Sequence, residues 1–176
     1  MTESYPPPPP PPAPGLPRPA ELLDRFLARL IDGLILAVPF FVISTIGNVL
    51  FLHGFRYSTG EWFLYWIFVS AVNVGLTIGY FAYLESSQGA TIGKKALKLQ
   101  VTRADGDGLI TAEQSVKRNC FYLIQLAFIV PFVGTFLGGL AQLAAVIMIA
   151  VTISNDTVGR RGWHDQLADT RVLKVG

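Results

Sequence analysis

The sequence predicts an all-α integral membrane protein: a four-helix bundle of two transmembrane hairpins, both termini cytoplasmic, with a small cytoplasmic β-hairpin between the second and third helices. Three observations predict it. Of 176 residues, 51% are hydrophobic and only 15% charged, more apolar than a soluble domain of this size needs. Apolar runs recur that are long enough to cross about 30 Å of hydrocarbon, which takes about 20 helical residues. Lysine and arginine are concentrated in the stretch after the second run and in the carboxyl tail, the asymmetry that orients helices in a bilayer.

The chain opens with MTESYPPPPPPPAPGLPRP, which lacks the basic region, apolar core and small-residue cleavage site of a secretory signal. Prolines at 6–12 favour an extended polyproline II rod, so residues 1–20 are read as a disordered proline-rich tail. It serves as a flexible spacer or docks an aromatic-lined groove on a partner. Residues 21–176 form the membrane domain.

The first helix covers about 24–52. The second covers about 61–85, with Trp62, Tyr65 and Trp66 at one end and Tyr80 and Tyr83 at the other as interfacial belts. Between them HGFRYSTGE is a short outer loop. The next apolar region, 120–153, is too long for one straight helix. Pro131 and Gly134 in VPFVG read as a turn, and Thr111 with Gln114 makes a capping box that starts a helix near Ala112. This yields a third helix at 112–130 and a fourth at 134–153.

Charge supports the split against the three-span alternative. The loop after the second helix carries Lys94, Lys95, Lys98, Arg103, Lys117 and Arg118, the carboxyl tail carries Arg160, Arg161, Arg171 and Lys174, and the outer loop has only Arg56. Two cytoplasmic basic stretches require an even number of crossings between them. Ala71, Gly75 and Gly79, and again Gly134 and Gly138, recur every four residues, a pattern for close helix approach. Asn73, in mid-membrane, either lines a path or, the commoner role of such a residue, bonds a neighbouring helix. The single cysteine, Cys120, excludes a disulfide framework and reads as a buried small hydrophobe.

In FLARLIDGLIL the polar residues fall on one stripe, because Arg25 and Asp32 share a helix face and Arg29 lies one turn from Asp32. Asp32 sits roughly 10 Å beyond Arg25, where a lone charge costs about 2.5–3.5 kcal/mol if near the membrane centre. Arg29 is its nearest partner, and Arg25 meets water and headgroups. Counting depth from the same boundary brings Thr77 and Tyr80 of the second helix, and Tyr122 and Gln125 of the third, opposite Asp32. Either Arg29 and Asp32 form a structural ion pair, or Asp32 alternates between protonated and cation-bound forms. The second reading makes the protein a carrier of small cations or protons, working as a homo-oligomer since the chain is short and carries no internal repeat. The alternative is a membrane scaffold or accessory subunit that recruits partners through the tail and the cytoplasmic loop.

In that loop, GATIGKKALKLQVTRADGDGLITAEQ, the apolar Leu97, Leu99 and Val101 alternate with Lys98 and Gln100, and ADGDG turns the chain into a second extended piece at 109–111. Asp105 and Asp107 occupy the first positions of a calcium loop, but Leu109 stands where a third oxygen is needed, so no metal is expected. Lys94 and Lys95 are placed against anionic headgroups. His164 adjoins Asp165, yet no serine, cysteine or second histidine nearby completes a catalytic set. No enzyme, cofactor or nucleic-acid partner is expected. A tail strand at 171–175 pairs with 97–101 and latches the two hairpins together, leaving Asp165 at the surface to accept backbone amides or pair with Lys94.

These residues together resemble the RDD family, small bacterial membrane proteins named for one arginine and two aspartates. Arg25, Ala28 and Asp32 match its R-x-x-A-x-x-x-D opening, TIGKKALKLQVTRADG looks like its T-x-G-K-x-x-x-x-x-x-V loop, and GWHDQLADTRVL looks like its H-D-x-L-A-x-T close. The resemblance covers about residues 20–175. It implies a place in the bacterial plasma membrane, transport with sodium/proton exchange proposed for some members, and Arg25, Asp32 and Asp165 as the residues of interest. The proline-rich head is similar in composition to actinobacterial proline-rich antigen-type members. Asp169 stands where the family often has glycine, which bears on the turn there. Arg29 is outside the signature, so Arg25 is assigned to function and Arg29 to local pairing.

Overall fold

The computed structural model describes residues 16–53, 58–106, 108–130 and 132–176. The expectations for residues 1–15, Arg56, Asp107 and Pro131 therefore lie outside the described residues.

Strand β1 (Arg18–Pro19) leads into α1 (Leu22–Gly47), which ends in a π-helical turn (Asn48–Leu52). Helix α2 (Thr59–Gln88) opens on a reciprocal cap, in which Ser58 Oγ accepts the Glu61 N–H at 3.3 Å and the Glu61 carboxylate accepts the Ser58 N–H at 2.6 Å. It closes on Gly89, whose φ of 69° is the left-handed conformation that glycine adopts without strain. Helix α3 (Ile92–Ala96) and strand β2 (Leu99–Arg103) follow, then α4 (Ala112–Asn119), a 3-10 helix (Cys120–Ile129), α5 (Val133–Asn155), α6 (Trp163–Leu167) and strand β3 (Thr170–Lys174). Among the described residues three helical stretches are long and apolar enough to cross a membrane: Leu22–Leu52, Thr59–Gln88 and Val133–Asn155.

The third predicted helix differs. The capping box forms as the spacing requires, with Thr111 and Gln114 bonding reciprocally at 3.0 and 3.1 Å, but the α-helix stops at Asn119 and the apolar part continues as a 3-10 helix. At about 2 Å per residue, ten such residues run about 20 Å alongside α2 and α5. Helix α5 packs along it, and among the described residues this segment is not one of the three membrane-length helices. A Cβ on Gly134 would lie 1.9 Å from the Ala127 carbonyl oxygen, and one on Gly138 2.9 Å from the Phe128 ring, so close approach there is real. Gly75 and Gly79 correct the same expectation on α2: nothing lies within 4 Å of a Cβ built at either, because the packed face of that helix carries Val74, Thr77, Phe81 and Glu85 instead. Asn73 does not bond another helix, its side-chain oxygen being buried without a partner. Cys120 is only half-buried.

The local β-hairpin is replaced by a three-stranded antiparallel sheet of order β1-β3-β2. Strand β2 pairs with the carboxyl tail, Val101 facing Val172, rather than with residues 109–111. Thr111 is engaged as the cap of α4, and Ile110 is buried in a small core with Ala20, Ala28, Leu99, Val101 and Val172. Only the long-range pairing buries both valines completely against Ala28 of α1. The tail strand thus latches onto the loop as expected, shifted to Thr170–Lys174 against Leu99–Arg103. Asp169, at the corner before β3, has φ 52°, which explains why glycine suits the position and why aspartate is tolerated there.

Candidate functional site

Helix α1 presents Arg25, Ala28 and Asp32 at three- and four-residue spacing on one face, and all three are buried. Helix α3 docks against that face. A Cβ on Gly93 would stand 2.2 Å from the Ala28 carbonyl oxygen and 2.9 Å from Asp32 Oδ1, so only glycine permits this approach. The contact aims backbone and hydroxyl donors at the carboxylate. Asp32 Oδ1 accepts the Gly93 N–H and the Tyr80 hydroxyl, both at 2.8 Å, and Oδ2 accepts the Thr91 hydroxyl at 2.6 Å.

A second cluster joins α1 to the carboxyl tail. Arg25 reaches Asp165 at 2.5 Å, the Arg160 carbonyl at 2.6 Å and the Ala20 carbonyl at 3.2 Å. Arg118 meets the other carboxylate oxygen of Asp165 at 3.2 Å, and the Gly162 N–H adds a bond at 3.2 Å. A third cluster centres on fully buried Glu85, which pairs with Lys94 and accepts from Ser115 at 2.6 Å and Asn119 at 3.3 Å. Asn119 in turn accepts from Arg29 at 2.8 Å, and that guanidinium lies 4.0 Å over the Phe81 ring.

The segments that meet in these clusters are far apart in sequence, and the model of the RDD family matches all of them, over residues 19–169. The chain belongs to the RDD family. The uncharacterized protein YxaI of Bacillus subtilis (strain 168) is similar, 29% identical over 167 residues, with 89% of this chain and 97% of that protein covered. No solved structure matches. An RDD chain with three such apolar helices is a membrane protein. The RDD signature acquires a physical meaning: the arginine and the second aspartate meet directly, while the first aspartate holds the T-x-G-K loop.

Several placements from sequence are corrected. Arg29 does not pair with Asp32. Of the four side chains placed opposite Asp32, only Tyr80 reaches it. The Thr77 hydroxyl bonds the Asn73 carbonyl of its own helix at 2.8 Å, Tyr122 receives Arg29 at 3.4 Å, and Gln125 is not among the partners of Asp32. Depth counting ignored rotation about each helix axis, which packing decides. Arg25 and Lys94 are buried in ion pairs instead of reaching headgroups, and Asp165 is fully buried, not at the surface and not bonded to Lys94. Sequence reasoning missed Glu85, Thr91, Ser115, Arg118 and Asn119. The signal available was the polar face that Ser115, Arg118 and Asn119 share on α4, next to an apolar run that offers no water.

The protonation states follow from burial and neighbours. Burial opposes charge on Asp165, but Arg118 and Arg25 win and hold it well below the usual carboxylate range. Burial pushes Lys94 down to about 7 against the pull of Glu85. It pushes His164 from 6.5 to about 3 against that of Asp165. Above pH 6.5 the His164 ring is neutral both folded and unfolded, and its contribution is complete. As pH falls below 6.5 the unfolded chain binds a proton that the folded chain refuses, so stability drops across this window. Thermal unfolding in neutral detergent from pH 7 to 4 is expected to show this decline, and His164→Gln to flatten it. An equally steep decline in the variant assigns it to another group.

Proposed function

We propose that this RDD protein is a carrier coupled to small cations or protons in the bacterial plasma membrane, with both termini cytoplasmic and Asp32 as the coupling carboxylate. One observation carries the reading: Asp32 is fully buried within a helix long and apolar enough to span a bilayer, and among the described residues it meets neutral donors but no cation. An ionisable group so placed is functional more often than not. A proton can neutralise it in place. For a small cation, the hydroxyls of Tyr80 and Thr91 can rotate from donating to Asp32 to offering their oxygens, which with the carboxylate make a hard-ligand set. Either event weakens the hold of Asp32 on Gly93 and Thr91, and so the docking of α3 on α1. The open small-residue face of Ala71, Gly75 and Gly79 supports a homo-oligomer.

Asp32→Asn keeps the shape while removing the charge. It is expected to lower unfolding stability by on the order of 1–3 kcal/mol, since hydrogen bonds to a charged acceptor become bonds to a neutral one. In vesicles carrying a sodium or proton gradient, wild-type protein should discharge the gradient and Asp32→Asn, shown to be folded, should not. Equal rates sink the proposal.

A second reading, a membrane scaffold, is favoured by the pairing of Arg18 and Pro19 with Lys174 and Leu173, which anchors the carboxyl end of the proline-rich segment at the sheet edge. Pull-downs with and without residues 1–15 test it, and an unchanged partner list removes the tail from the argument.

A further inference from the structure

Between α1 and α5, where the two helices scarcely touch, lies a cavity of about 600 Å³. Its polar end is formed by Arg25, Arg29, Lys94 and Arg118, and among the described residues no carboxylate lines it. The acids that pair with Arg25, Arg118 and Lys94, which are Asp165 and Glu85, do not line it. The walls that lead away from this end are apolar, with Phe26 and Leu30 on α1 and Val146 and Ala150 on α5. Phe26, Leu30 and Val146 are 60%, 50% and 48% exposed, so the opening lies along the membrane-crossing stretches of both helices.

Arg118 shows that the polar end is incomplete. It is 2% exposed, one terminal nitrogen is used on Asp165, and Nε and Nη1 have no acceptor. Buried N–H groups of a charged guanidinium without a partner are costly, and native proteins rarely leave them so. What is wanted there is an anion, since oxygens of a phosphate accept from a guanidinium and answer the remaining positive field.

We propose that this cavity binds an anionic phospholipid of the surrounding bilayer, its phosphate on Arg118 and its chains leaving between Phe26, Leu30 and Val146. Charge complementarity selects the acid, and the apolar side opening selects an amphiphile over a soluble anion. The site does not depend on ion-coupled transport. Its assay contains no gradient, so failed flux leaves it intact and failed lipid binding leaves the Asp32 reading intact.

The test uses the full chain purified in neutral detergent, with thermal unfolding followed in the presence of phosphatidylglycerol, phosphatidylcholine of the same chains, or inorganic phosphate. Phosphatidylglycerol should stabilise the protein and bind about tenfold more tightly than phosphatidylcholine, the equivalent of one charge-assisted contact. Phosphate alone should do little. Arg118→Gln should abolish the preference. Because Arg118 also holds Asp165, Ala150→Phe provides the second variant, filling the cavity from α5 without altering a charge, and it should abolish the preference as well. The proposal is overturned by equal stabilisation from phosphatidylcholine, which means a merely apolar groove. It is overturned equally by full stabilisation from phosphate, or by an Ala150→Phe variant that melts normally and keeps the preference.

Discussion

Gly93→Ala is expected to destabilise the protein by more than about 3 kcal/mol, the range reserved for overpacking combined with loss of buried hydrogen bonds. The added Cβ would sit 2.2 Å from the Ala28 carbonyl oxygen, 2.9 Å from Asp32 Oδ1 and 3.0 Å from Asp32 Cγ. None of these atoms is the free end of a flexible side chain. The first is the backbone of a membrane-crossing helix. Helix α3 must therefore lift away, taking with it the Gly93 N–H and Thr91 hydroxyl that serve Asp32, and a buried carboxylate keeps only Tyr80. Detergent extracts heated in steps and followed by size-exclusion fluorescence measure the loss. Gly33→Ala and Gly139→Ala are the controls, since nothing lies within 4 Å of a Cβ built at either and alanine favours a helix by up to about 1 kcal/mol. A Gly93→Ala protein that melts with these controls would show that α3 does not rest on α1 as described.

Asp165→Asn ranks next. The carboxylate is fully buried and shared by two guanidinium groups, Arg25 at 2.5 Å and Arg118 at 3.2 Å. Removing one side of a buried ion network leaves uncompensated charge, at about 3–5 kcal/mol, and here two cations are stranded by one substitution. The same change at Asp169, whose pair with Arg161 is 71% and 27% exposed, should cost under about 1 kcal/mol. The comparison separates burial from charge. Equal melting of the Asp165 and Asp169 variants would refute the view that Asp165 ties the tail to α1.

These two substitutions fall on residues whose importance was visible in the motif before their partners were. Arg25, Ala28 and Asp32 could be placed on one helix face from spacing alone, because helical geometry is local. Asp32 was expected to need companions, and hydroxyl companions are what it has. Their identity was legible only for Tyr80. Thr91 and Gly93 come from a loop whose return to the membrane boundary no periodicity announces. Arg29, nearest along the helix, turns to Asn119 and the Phe81 ring instead, because rotation and packing bring those groups within reach and an i to i+3 spacing alone does not make a pair.

The sequence by itself determined the apolar helices, the capping box at Thr111, the close approach at Gly134 and Gly138, and the joining of the tail strand to the loop. All of these rest on short-range chemistry or on hydrophobic pattern. Only the tertiary structure decided the register of β2 on β3 and left residues 109–111 out of the sheet, passed α4 into a 3-10 helix, and brought Arg25 to Asp165 from 140 residues away. The reason is that a buried charge is satisfied by whichever group the fold carries to it, and that distance in space is set by how whole helices pack, which no local spacing in the chain encodes.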